Sequence, residues 1–217
     1  QTELSLAARA VGASIKNLLE AAKAVSEIDL DEYIEKISES ITDLDGAMIS
    51  STVGLLENTA PLGKTTQSLE EEMVEISRQL AVSIKNLVAA HRESPTALAK
   101  AAKAAAILIP KLAEVAKQSA GTMSDVNAQQ DQLGLAKSVA DTVMALMQAC
   151  RQNDSKEIAV HAQESSHSIA KLLSSLKGGV IALRDCDEAA AAIQTTAKAL
   201  DAPVGKSTKA YQESQKE

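Results

Sequence analysis

An all-α fold, an up-and-down five-helix bundle with a flanking helix at each end, follows from three features of this sequence. Aromatic residues make up only 1% of the chain, while Ala, Leu, Ile and Val supply most of a 45% hydrophobic content. Sheet cores lean instead on aromatic and β-branched side chains. Gly (9) and Pro (4) are few, so little interrupts a helix. Apolar residues recur at steps of three and four along nearly the whole chain, the period of one helical face. Helical segments joined by short connectors close as bundles, and 217 residues hold one large or two small domains.

The first segment places Leu4, Ala7, Ala8, Val11, Gly12, Ile15, Leu18, Leu19 and Ala22 on one stripe, with Arg9, Lys16, Asn17 and Glu20 off it. A seam of small and branched residues suits either its own bundle or another protein's groove. Ser26–Asp29 is a polar break. A second helix is expected over 30–57, with Ile34, Ile37, Ile41, Leu44, Met48, Val53 and Leu56 facing the core. Asp29, Asp31 and Glu32 near its start suit the helix dipole. Pro61 and Gly63 follow its end.

A third helix is expected over 66–93, its stripe running from Leu69 through Met73, Leu80 and Ile84 to Val88. Ser94-Pro95 reads as a cap followed by proline in the first helical turn. A fourth helix runs to about Ala120, bent near Ala106–Ile109 because Pro110 lies inside it, and Gly121 closes it. The fifth, from Ser124 to Asn153, turns Val126, Leu133, Leu135, Val139, Val143, Leu146, Met147 and Cys150 inward. Asp154 or Ser155 caps the sixth, which carries Ile158 to Leu176. Gly178-Gly179 is a weak point before a seventh segment over 180–200, and a polar tail follows Pro203. Ser14-Ile-Lys-Asn-Leu18 returns as Ser83-Ile-Lys-Asn-Leu87, a faint repeat on the scale of helices.

Charge and motif content exclude several classes. A net charge of -7 argues against nucleic-acid binding by bulk charge. No run of about 18 apolar residues spans a membrane. No signal peptide is visible, and Gln1 suggests an excised fragment. Cys150 and Cys186 fit no zinc spacing and read as reduced thiols in a cytosolic core. Glu164-Ser-Ser-His167 is a single Glu-x-x-His pair, where a di-iron bundle needs two and further carboxylates, so no metal site is expected. Gly63-Lys64-Thr65 and Gly205-Lys206-Ser207 lack the first glycine and the strand of a phosphate loop. Three His and two Cys assemble no catalytic triad, so neither an enzyme nor a cofactor is expected. Lys100, Lys103, Lys111 and Lys117, opposed by Glu114, form a cationic helix face. That face reads as solvated, or as a receiver for an acidic tail or an anionic lipid surface.

The pattern Leu4-x-x-Ala7-Ala8-x-x-Val11-x-x-x-Ile15-x-x-Leu18-Leu19-x-x-Ala22 resembles the vinculin-binding helix of talin rods. Gly12 stands at its second small position and Ile15 at its second valine. Ile41-Thr-Asp-Leu-Asp45, Ser83–Val88, Ala99–Ala116, Leu135–Cys150 and Ser168–Leu200 resemble successive rod helices in the same order. The likeness covers the chain to about Leu200 and is most similar to the C-terminal third of the rod. Two further stretches fit the vinculin pattern in part: Met73 to His91, and Ala136 to Cys150 with Gln132 where leucine is expected.

The resemblance implies a cytoplasmic, force-bearing segment at cell–matrix adhesions. It implies vinculin as partner of Leu4, Ala7, Ala8, Val11, Ile15, Leu18, Leu19 and Ala22. It implies an integrin β cytoplasmic tail as partner of Lys156, Lys171 and Lys177, and a link to actin through the whole protein. The expected division is 1–28 as the end of a preceding bundle, 29–177 as a five-helix bundle, and 178–217 as the start of a following bundle with a frayed tail. The competing readings are a metal-binding bundle enzyme and a helical spacer without a ligand.

Overall fold

The computed structural model describes residues 30–176 and 190–195. The bulk of these form five helices: α1 (Leu30–Thr52), α2 (Thr66–Glu93), α3 (Pro95–Gly121), α4 (Val126–Gln152) and α5 (Ser155–Ser175). Residues 190–195 add a short helical stretch whose Ile193 joins the buried core. The first predicted helix lies outside the described residues, as does most of the seventh.

Local chemistry sets the helix ends. The Thr65 hydroxyl accepts from the Ser68 amide while Ser68 accepts from the Thr65 amide, a reciprocal cap on α2. Ser94 ends α2 and caps α3 through the Ala97 amide, so one residue makes a tight corner. Asp125 caps α4 and Asp154 caps α5. Asn153 takes the left-handed conformation that lets α4 stop there (φ 56°).

Three expectations need correction. The first bundle helix ends at Thr52, not near Glu57, because the chain turns at Gly54 with φ 71°. Val53 therefore lies in the connector, 61% exposed, rather than in the core. Gly121 is the last residue of α3, yet Thr122 after it is right-handed, so no left-handed glycine cap forms. Glycine is required there for space: a Cβ would sit 2.6 Å from the Glu57 carbonyl oxygen of the crossing connector. α3 is helical without a break through Pro110. Val126, expected to face inward, is exposed at the first turn of α4.

Directions alternate along the chain. Asp31 at the start of α1 meets Arg151 at the end of α4, and Ser51 near the end of α1 meets Gln129 near the start of α4. These two helices are antiparallel. α2 packs on α3 and α5, α3 on α4, and α4 on α5, so α2–α5 close on themselves as a four-helix ring. α1 is laid across the outside, against α3 and α4.

The core is aliphatic and continuous: Leu69, Met73, Leu80, Ile84, Ile109, Leu112, Leu133 and Leu146 are among its fully buried side chains. α1 contributes a much narrower seam. Ile37 and Leu44 are fully buried, with Ser40, Ala47 and Ser51 completing a heptad-like line.

Candidate partner-binding helices

The stripe from Leu4 to Ala22 lies outside the described residues. The two partial matches fall on α2 and α4, and both are sealed. On α2, Met73, Ile76, Ser77, Leu80, Ile84 and Leu87 all face the core. On α4, Ala136, Val139, Ala140, Val143, Leu146 and Met147 do the same. The 3.6-residue period places each set on one face, and the four-helix ring covers that face from both sides.

Gln132 occupies the leucine position of the α4 pattern. It is buried, and its amide N–H donates to the Met73 sulfur at 3.4 Å. Its carbonyl oxygen has no hydrogen-bond partner among the described residues, and the same holds for the hydroxyls of Ser77 and Ser119. Nearby, the Ser51 hydroxyl donates to the Gln129 carbonyl oxygen at 2.7 Å, and Gln129 donates to the Met123 carbonyl. Buried polar atoms without partners cost roughly 1–3 kcal/mol each. Several therefore weaken the end of the bundle where α1 and α3 finish and α2 and α4 begin. No periodicity argument marks this end, because serine and glutamine read as surface residues in sequence.

Ion pairs fasten α1 along both of its edges. Lys137 of α4 donates to Asp45 at 2.6 Å, and that hydrogen bond holds its ammonium above the ordinary lysine range. Lys117 of α3 reaches Asp43 at 3.5 Å and Glu114 at 3.1 Å. This corrects the sequence reading of Lys117 as part of an open cationic face: it is a bridge between helices. Burial acts to raise the Glu114 carboxyl. The hydrogen bonds from Lys117 and Gln118 outweigh it and hold the group below its ordinary value.

Lys156 and Lys171 are exposed on α5 and form no ion pair among the described residues. Fifteen positions separate them, about 22 Å of helix, so they are two separate points and not a cluster. Lys177 lies outside the described residues. Glu164 is engaged by His161, whose ring nitrogens lie 2.8 Å from Glu164 and 3.2 Å from Glu157. His167 is exposed one turn further on. Among the described residues no group of three or more His, Cys, Asp or Glu is placed to hold a metal. No described helix is long and apolar enough to cross a membrane. Cys150 is buried, and burial pushes its thiol up to about 12. Cys186 lies outside the described residues.

These features define an all-α bundle segment whose apolar helix faces are turned inward among the described residues. Residues 26–178 match the family described as "Talin 1-like, rod segment domain", and the chain belongs to that family. It is 40% identical to Talin-B of Dictyostelium discoideum over 93% of its length. It is 30% identical to Talin-A of the same organism over 86%, and 30% identical to a talin of Oscarella pearsei over 92%. The chain spans about 8% of the length of each of these relatives.

Proposed function

We propose that this chain is a load-bearing segment of a cytoplasmic adhesion scaffold, joining integrin tails to actin and offering vinculin a helix when tension opens it. It works by binding and not by catalysis. The observation that carries this reading is the match of residues 26–178 to a talin rod segment. The sealed stripes of α2 and α4 support it: a face turned inward at rest is withheld until the bundle opens. The segment Leu4 to Ala22, with its fuller vinculin-type pattern, is the primary site. The domain division at 28/29 and 177/178 belongs to the same reading.

Lys156 and Lys171 supply the integrin contact together with Lys177. The exposed ammonium groups of the first two are available to an acidic tail. Two measurements test the function. Labelled integrin β tail is titrated against the 217-residue chain and against Lys156→Glu/Lys171→Glu, with saturable binding expected only for the parent. Vinculin head is titrated against a peptide of residues 1–27 with and without Val11→Asp. Binding abolished by the aspartate supports the reading, and failure of the parent peptide to bind removes its vinculin half. A chain that binds neither partner is a helical spacer.

A further inference from the structure

The hairpin of α2 and α3 carries a charge opposite to that of the molecule. From Leu80 to Ala113 the sequence holds Lys85, Arg92, Lys100, Lys103 and Lys111 against one acid, Glu93, in a chain of net charge -7. Lys100, Lys103, Ile107 and Lys111 follow one another at steps of three, four and four, so they line one face of α3. All four are exposed. Lys85, Lys100 and Lys111 have no ion pair or hydrogen bond among the described residues, and Lys103 acts only at a distance on Glu32 of α1.

The turn at Ser94 sets the heights of the two helices. Lys85 lies nine residues before it and Lys103 nine after, while Val82 and Ile107 lie twelve and thirteen away. Lys85 and Lys103 therefore share one level of the hairpin. Two outward apolar side chains, Val82 (53% exposed) and Ile107 (47% exposed), share another about one turn on, and Lys100 and Lys111 extend the α3 face to either side. The described cavities beside Glu70 and beside Glu57 lie on other flanks.

We infer that the outer face of the α2–α3 hairpin docks on an anionic lipid surface. Lysines with long apolar stems around an exposed isoleucine suit the headgroup boundary, where the stems and Ile107 rest among acyl chains and the ammonium groups meet phosphate and carboxylate. A helix face with its cations spread over about three turns suits a planar array of charge. Glu32 of α1 lies within electrostatic reach of Lys103, and salt screens the repulsion of acids beyond it over about 10 Å. This inference does not depend on vinculin or integrin binding.

Co-sedimentation of the whole chain with phosphatidylserine-containing and pure phosphatidylcholine vesicles at low salt tests it. Partition into the anionic vesicles alone is expected, weakening as salt rises. Removing one lysine weakens such binding by about fivefold, so Lys100→Gln/Lys111→Gln lowers it by about 25-fold. Both residues are exposed, so helicity and melting stay those of the parent. Lys156→Gln/Lys171→Gln, with the same change in net charge on another face, leaves partition unchanged. Equal partition into neutral vesicles overturns the inference. So does an undiminished signal from the α3 variant, or capture by polyglutamate peptide without vesicle binding.

Discussion

Gly121 shows how one position is set by tertiary contact instead of local conformation. A methyl group there meets the Glu57 carbonyl oxygen at 2.6 Å, and that oxygen belongs to backbone. Gly121→Ala should cost about 1–3 kcal/mol, the range for overpacking, read as a lower urea midpoint. Ser77 makes the opposite case, since its buried hydroxyl has no partner among the described residues. Ser77→Ala should leave stability unchanged or raise it by up to about 1 kcal/mol. Leu80→Ala one turn on, at a fully buried aliphatic position, should cost about 2–5 kcal/mol. Cys150 gives a pH signature. Its folded thiol ionises near 12 against an ordinary 9.0, so unfolding lets it ionise earlier. The stability it contributes is complete below pH 9 and lost as pH rises from 9 toward 12. Denaturation at several alkaline pH values should show this decline in the parent and not in Cys150→Ala.

At the scale of elements, α1 is the helix least committed to the core. Its seam is narrow and diluted by Ser40, Ala47 and Ser51, and its edges are held by partly exposed pairs at Asp31, Asp43 and Asp45. Such pairs contribute little singly and are screened by salt. The ring α2–α5 closes without α1, so α1 should open first. Native-state hydrogen exchange should find its amides exchanging through a lower-energy opening than those of α2–α5. Molar salt should widen the gap, and Leu44→Ala should lower protection in α1 alone. Simultaneous loss of protection in all five helices contradicts this.

Much of this level was legible in sequence. The α2 stripe from Leu69 to Val88 and the α5 stripe from Ile158 to Leu176 are buried as their periodicity predicts, and Ser94 caps α3 as expected. The placement of α1 beside α3 and α4, and not beside its chain neighbour α2, was not legible. Periodicity tells a helix which face to bury and not against which partner. The polar threading at Ser51, Gln129 and Gln132 was hidden for a related reason: those residue types are buried only because two helices happen to bring them together.

At the scale of the molecule, a closed ring of four helices carries a lightly held outer helix and a cationic α3 face. Family membership gives the scaffold reading its frame, and under the proposed function the sealed faces would supply the means: load would remove α1, then the ring, each step freeing apolar stripe for another protein. Single-molecule stretching of this chain in the presence of labelled vinculin head tests that coupling directly. The account predicts no binding while the chain stays folded at low force, binding after the extension step, and delayed refolding while vinculin is bound. Equal binding before and after extension, or none to the extended chain, would contradict it.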